Sequence, residues 1–326
     1  MLSILLLLGG LALLLGGGAG LVRGAAGLAR KLGVSPLIVG LTVVAFGTST
    51  PELAVNLIAV YRGATEVAFG NIVGSNLANL GLILGLAALV RPLVIHGQVL
   101  AREIPMMVLA AAVLLVLALD PALRGEPGAI DRGDGLALLL VFSVFLYAMV
   151  GDVVRQRRDP LVEQARERGG ESWHEGVPAD LLLVAGGIVG LVAGGRLTVD
   201  AATELALLLG VPATIIGLTI VAVGTSLPEL VTSAIATWRG ESDIAVGNVV
   251  GSNVFNTLFV LGVTATTRPV PVPAGGTGDL IACVVLSVVL LPMGITHSRR
   301  IVRVEGALLL SAWIAYTIWR SAGAVG

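Results

Sequence analysis

Cysteine is almost absent, with Cys283 the single example in 326 residues. A lone thiol excludes an intrachain disulfide and any cysteine-cluster metal site, and Cys283 reads as a small packing residue. Charge is scarce too. Asp, Glu, Lys and Arg make up 13% of the chain, whereas soluble domains run near a quarter, so the charged side chains are too few to cover a solvated globular surface. No block of basic residues offers a footprint for nucleic acid, and a net charge of -1 favours no charged partner. Histidine is confined to His96, His174 and His297, in or next to polar stretches, where they read as solvated. No G-x-S-x-G elbow, nucleophile–base pair or convergent pair of aspartates is visible, so the chain does not read as an enzyme.

What is plentiful is apolar. The sequence is 56% hydrophobic with a mean hydropathy of +0.97. Runs of about 20 apolar residues, enough to cross a hydrocarbon core of ~30 Å, recur along its length. An all-α polytopic membrane protein follows, surrounded by membrane lipid. Hydropathy predicts ten transmembrane helices near 2–20, 35–60, 66–89, 101–119, 134–152, 180–198, 212–237, 243–266, 278–294 and 304–320. The first apolar segment lacks a basic n-region and a small-residue cleavage site, and is read as a span rather than a signal peptide. The 44 glycines suit close helix packing, since small residues let backbones approach where lipid gives no hydrophobic drive to associate. Trp313, Tyr316 and Trp319 suit an interfacial aromatic belt.

The chain repeats itself. "LGVSPLIVGLTVVAFGTSTPEL" aligns without a gap on "LGVPATIIGLTIVAVGTSLPEL", and "RGATEVAFGNIVGSNLANLGLILG" on "RGESDIAVGNVVGSNVFNTLFVLG". Both alignments share one offset, because 224 − 47 and 247 − 70 are both 177. The division is a first five-helix repeat at 1–154 with its motif block at 40–85, a polar loop at 155–178, and a second repeat at 179–326 with its block at 217–262. Five spans per half turn the second copy upside down, an inverted repeat. Of the 20 Lys and Arg, fourteen fall in loops after odd-numbered spans, including Arg155, Arg157, Arg158, Arg166 and Arg168. The other six are Arg62, Arg124, Arg132, Arg196, Arg268 and Arg320. That bias puts the central loop in the cytoplasm and both termini outside.

Within the repeated blocks, Pro51 and Pro228 are expected to break their helices, since proline lacks the N–H and its ring clashes with the preceding turn. Gly47 and Gly224 give the backbone room to bend. Carbonyls released before each break, such as those of Ala45 and Ala222, are tolerated in a bilayer only where protein, water or an ion satisfies them. Thr48, Ser49, Thr225 and Ser226 add hydroxyls, and Glu52 and Glu229 add carboxylates with no basic residue in either span core to pair with. Gly70 and Gly74, with Gly247 and Gly251, permit close packing of the following spans. Ser75 and Ser252 then present hydroxyls, and Asn79 and Asn256 present amide oxygens. Every donor is a hard oxygen and none is His, Cys or Met, which disfavours soft metals and leaves Ca2+ or Na+ as the ion. Asp120, Asp131, Asp134, Asp200 and Glu204 sit at span ends or loops. Glu103 and Glu305, near Arg102 and Arg303, read as anchors.

These doubled motifs, "GTSTPEL…GNIVGSNLANLGLILG" and "GTSLPEL…GNVVGSNVFNTLFVLG", resemble the two repeats of the cation/Ca2+ antiporter superfamily, and within it the prokaryotic sodium/calcium exchangers. The resemblance implies ion sites at the membrane centre between spans 2, 3, 7 and 8, with spans 1 and 6 sliding across that core, in a prokaryotic inner or plasma membrane. It implies Glu52 and Glu229 as central Ca2+ ligands shared with Na+, with backbone oxygens from Thr48 and Thr225. Ala45, Ser49 and Ser75, with Ala222, Ser226 and Ser252, would complete flanking Na+ sites, and Asn79 and Asn256 the middle. Some relatives, notably potassium-dependent ones, carry Asp at one of the last two positions; asparagine at both disfavours K+ dependence.

Two carboxylates supply −2, which one Ca2+ or two Na+ neutralise, and an extra charge in low dielectric is costly, so the two ions are expected to compete. Three Na+ against one Ca2+ would make exchange electrogenic. The transported ions are the only non-protein groups implied; no cofactor and no obligatory protein partner is expected. A H+/Ca2+ antiporter using the same glutamates, or a cation channel, are the alternatives.

Overall fold

The computed structural model describes residues 2–123, 125, 128–157, 177–209 and 222–325. The predicted central loop lies mostly outside the described residues, at 158–176 with His174, Arg158, Arg166 and Arg168, and so does the start of predicted span 7, at 210–221. In chain order the helices are α1 (Leu2–Leu32), α2 (Pro36–Tyr61), α3 (Val67–Val90), α4 (Val99–Leu119), α5 (Arg132–Val154), α6 (Val177–Leu208), α7 (Leu227–Trp238), α8 (Ser242–Thr267), α9 (Gly276–Ile295) and α10 (Arg303–Val325). All but α7 and α10 are long and apolar enough to cross a membrane, giving eight candidate spans among the described residues. Helix is the form such segments must take, because in lipid every backbone N–H and C=O has to be satisfied from within.

Two helices run further than hydropathy predicts. α1 continues to Leu32 and α6 to Leu208, where ends near 20 and 198 were expected. The tail of α1 is enclosed by protein, with Leu21, Val22, Leu28 and Ala29 all buried, so it does not depend on lipid for its apolar surroundings. α1 and α6 lie antiparallel on a glycine seam. A Cβ on Gly17 would stand 2.7 Å from Leu191 N and 2.8 Å from Gly187 O, and one on Gly194 would stand 2.7 Å from Leu14 N. Backbone touches backbone along this seam, as small residues allow where lipid supplies no hydrophobic drive. Lys31 Nζ closes one end on Asp180 Oδ2 at 2.6 Å.

Two short antiparallel ladders tie the sequence halves together. β1 (Leu93–Val94), after α3, pairs with β4 (Arg300–Ile301), before α10; β2 (Ala129–Ile130), before α5, pairs with β3 (Val270–Pro271), after α8. β1 and β3 occupy equivalent positions of the sequence repeat, and each finds its partner in the other half.

Both expected helix breaks are present. α2 turns at Ser49 (φ −84°, ψ 3°) and restarts over Thr50–Tyr61 with Pro51 in its first turn. α7 starts after Ser226 (φ −91°, ψ 8°) with Pro228 in the same place, since a first-turn proline has no helical N–H to lose. Widened π turns interrupt α3 at Ala78–Ile83 and α8 at Phe255–Val260, again equivalent positions, and α2 at Gly40–Val44.

The glycines before the prolines are landing places for α6: a Cβ on Gly47 would meet Ile188 Cδ1 at 2.5 Å, and one on Gly224 would run into the Val199 side chain. Gly247 and Gly251 do seat α8 against α2, where a Cβ on each would stand 2.9 Å from Leu37 O and 2.7 Å from Leu41 O. Among the described residues a Cβ on Gly70 or Gly74 would meet nothing within 4 Å, and residues 214–221, the counterpart of the α2 stretch that Gly247 and Gly251 touch, lie outside those residues. His96 and His297 are largely exposed but partnered, by Asp243 at 3.1 Å and Glu305 at 3.4 Å. Trp313 packs against Gly81 in the π turn of α3 and is half-buried, while Tyr316 donates to Asp279 at 2.6 Å. Glu103 is buried and paired with Arg102, which also reaches Asp152 on α5; this cross-helix tie fits its reading as an anchor. Asp131 and Asp134 cap α5 through reciprocal bonds of 2.9 Å.

Candidate cation site

Thr48, Ser49, Glu52, Ser75, Asn79, Ser226, Glu229, Ser252 and Asn256 are all buried, and Thr225 is half-buried. Glu52 has no exposed surface and Glu229 has 1%. Neither carboxylate has a basic partner among the described residues. The first turn of a restarted helix places each of them directly after its break.

The two halves interleave here. Ser49, from the first motif, donates to Glu229 Oε1 of the second at 3.3 Å. Ser226, from the second, donates to Ser75 Oγ of the first at 3.1 Å, and Ser75 donates to Glu52 Oε1 at 3.4 Å. Thr48 shares its hydroxyl between Ala45 O (3.3 Å) and Asn248 Oδ1 (3.0 Å), and Thr225 donates to Asn71 Oδ1 at 3.3 Å.

Several buried oxygens are left over. Glu52 Oε2, Glu229 Oε2, Ser252 Oγ, Asn256 Oδ1 and both amide atoms of Asn79 have no hydrogen-bond partner among the described residues. A buried polar atom without a partner carries the full cost of its desolvation, and native interiors keep such atoms few. Several of them gathered around two carboxylates form an oxygen set suited to a hard cation. Among the described residues no group of three or more His, Cys, Asp and Glu comes together, so the formal charge at this locus is that of the two glutamates.

The expected release of the Ala45 carbonyl is not observed. Ala45 O keeps its helical bond to Ser49 N at 3.0 Å, because the carbonyl opposite the missing proline N–H is that of Gly47, four residues before Pro51. The second half differs: Ser226 N turns to Val223 O at 3.1 Å rather than to Ala222.

Sequence reasoning missed the asparagines that brace the motifs. Asn248 is fully buried; besides accepting from Thr48, its amide donates to Ser233 Oγ at 3.0 Å and to Glu229 O at 3.4 Å. Asn71, its repeat counterpart, donates to Asn56 Oδ1 at 2.7 Å. The available signal was the invariant "GN" of the two blocks, four residues before Ser75 and Ser252 and so on the same helix face. Asn248→Leu is expected to raise the half-saturating Ca2+ concentration about tenfold, given ~1–3 kcal/mol for each buried partner orphaned. An unchanged saturation curve for the variant would contradict that bracing role.

An all-helical polytopic membrane protein that encloses a hard-oxygen cluster around two unpaired carboxylates belongs, as a class, with the carriers of small cations. The chain is a member of the sodium/calcium exchanger family: the family model described as sodium/calcium exchanger protein matches residues 2–151 and 180–322. The inner membrane protein YrbG of Escherichia coli (strain K12) is 36% identical over 300 residues, covering 90% of this chain and 89% of YrbG. The sodium/calcium exchanger MaX1 of Methanosarcina acetivorans is 32% identical over 314 residues, covering 89% of this chain and 90% of MaX1. A solved structure of the sodium-calcium exchanger NCX_Mj superposes with a TM-score of 0.81 at 30% identity, covering 96% of this chain and 97% of that one. The chain is therefore an integral membrane antiporter of that family, a transporter of ions rather than an enzyme.

Proposed function

We propose that this antiporter exchanges Na+ for Ca2+ by alternating access, holding the ions among α2, α3, α7 and α8. The observation that carries the reading is the pair of buried glutamates, one from each repeat, each with one carboxylate oxygen lacking a partner. Glu52 and Glu229 hold Ca2+ in competition with Na+, helped by oxygens of Thr48 and Thr225. Ala45, Ser49, Ser75, Ala222, Ser226 and Ser252 serve flanking Na+ positions, and Asn79 and Asn256 the middle. A carbonyl that keeps its helical bond, as Ala45 O does, still has a lone pair for an ion. The name of MaX1 favours the same ion pair.

The chain crosses the membrane ten times as two inverted five-helix repeats, 1–154 and 179–326. The 155–178 loop is cytoplasmic and both termini are outside. The antiparallel α1–α6 pair and the cross-half strand ladders support this arrangement. Three Na+ moved against one Ca2+ make the cycle electrogenic, and asparagine at both 79 and 256 makes it independent of K+.

Purified chain in proteoliposomes is expected to take up Ca2+ when an opposing Na+ gradient is imposed, to respond to membrane potential, and to ignore K+. Uptake driven by a pH gradient alone would replace sodium with protons. Downhill Ca2+ flux without any counter-ion would replace exchange with a channel, and voltage-independent uptake would contradict the 3:1 ratio.

A further inference from the structure

Asn256 is held differently from its repeat counterpart Asn79, and the difference traces to residues outside the candidate ligand set. The Asn256 amide nitrogen donates to Asn76 Oδ1 at 3.2 Å, and the Asn76 amide nitrogen donates to Thr257 Oγ1 at 2.8 Å. All three side chains are buried, and Asn256 Oδ1 is left without a partner. We propose that Thr257 and Asn76 are positioning residues that aim the Asn256 amide oxygen at the transported cation. The inference rests on the cation site proposed above.

An asparagine amide presents an oxygen from one end and N–H groups from the other, in nearly the same shape. Turned one way it attracts a cation, turned the other it repels one. A buried NH2 is costly without an acceptor, and Asn76 Oδ1 is that acceptor for Asn256. Asn76 then has its own NH2 to satisfy, and the Thr257 hydroxyl oxygen terminates the series. With this polarity the Asn256 oxygen is the end left facing the ion.

The repeat supplies a comparison within the same molecule. The counterpart of Thr257 is Leu80, which has no acceptor. Asn253, the counterpart of Asn76, turns its amide nitrogen to Val249 O on its own helix at 3.1 Å and leaves Oδ1 unpartnered. Asn79, the counterpart of Asn256, has among the described residues a partner on neither amide atom. Both asparagines sit in equivalent π turns, so the local backbone does not account for the difference, whereas threonine against leucine does. One side of the site therefore offers a fixed oxygen and the other an amide free to turn.

The test is equilibrium binding of radiolabelled Ca2+ to the purified full-length chain. Thr257→Val, which keeps shape and loses the hydroxyl, is expected to raise the half-saturating Ca2+ concentration five- to tenfold. Thr257→Ser, which restores the hydroxyl, is expected to stay within twofold of the parent. In an Asn256→Asp background the Thr257→Val penalty is expected to vanish, because a carboxylate presents oxygen at either end. Thr257→Ala removes the same hydroxyl and serves if the valine variant does not accumulate. An unchanged half-saturation in the hydroxyl-less variants would overturn the proposal. So would an equal loss in Thr257→Ser, or an undiminished penalty in the aspartate background. Glu52→Gln and Glu229→Gln, run in parallel, separate the two levels. If they bind Ca2+ as the parent does, the site reading itself fails; if they lose binding while Thr257→Val does not, only the positioning role fails.

Discussion

Glu52→Gln and Glu229→Gln should each abolish Ca2+ exchange in proteoliposomes while leaving the chain folded. Glutamine keeps the size of the side chain and its capacity to accept from Ser75 or Ser49, which donate to Glu52 and Glu229 at 3.4 and 3.3 Å. It removes one of the two formal charges that balance a divalent ion. Two unit charges ~4 Å apart at an effective dielectric of ~20 interact by about 4 kcal/mol, so one carboxylate is worth at least roughly a thousandfold in binding before the double charge of Ca2+ is counted, and neither glutamate has a cationic neighbour among the described residues that could rearrange to compensate. In ion-free detergent the same variants should melt no lower than the parent, because a buried charge without a counter-charge opposes folding. Loss of transport without loss of thermal stability is the combination to look for. Full Ca2+ exchange in both variants would remove the glutamates from the site.

Two adjacent glycines in α6 should respond in opposite ways to the same substitution. A Cβ on Gly187 would stand 2.6 Å from Leu21 N and 2.8 Å from Gly17 O, both backbone atoms of α1, whereas one on Gly186 meets nothing within 4 Å. A flexible side chain can turn aside, but a helix backbone cannot, so Gly187→Leu must push α1 and α6 apart. That loses contact along the whole seam, including the approaches at Gly10, Gly17 and Gly194. Over-packing typically costs about 1–3 kcal/mol, and a clash of side chain against helix backbone sits at the upper end. Gly187→Leu should therefore lower the melting temperature in detergent by many degrees or prevent accumulation in the membrane, and suppress exchange in either case. Gly186→Leu faces outward and should express, melt and transport like the parent. Equal behaviour of the two variants would contradict the antiparallel seam.

Much of the locus was legible before any coordinates. Composition determined the membrane class, because a chain with so little charge cannot clothe a soluble surface. The 177-residue offset determined that whatever the first motif supplies, the second supplies again. Pro51 and Pro228 determined where the helices break, since the missing N–H is a property of the residue itself. These features are local, or are identities between segments, and a linear reading sees both.

Tertiary structure decided which groups meet. That Ser49 serves Glu229 while Ser75 serves Glu52, that Asn248 of one half braces Thr48 of the other, and that Gly47 receives Ile188 all depend on contacts between helices far apart in the chain. Hydropathy placed the ends of α1 and α6 too early because it measures affinity for lipid, and the tail of α1 is buried in protein. Repetition in sequence also concealed an inequality: Leu80 and Thr257 are equivalent in register, yet only the hydroxyl of Thr257 can end a hydrogen-bonded series that starts at Asn256. A repeat dictates the same backbone twice, and the side chains that fill the space between the copies decide how far the two halves of the site are alike.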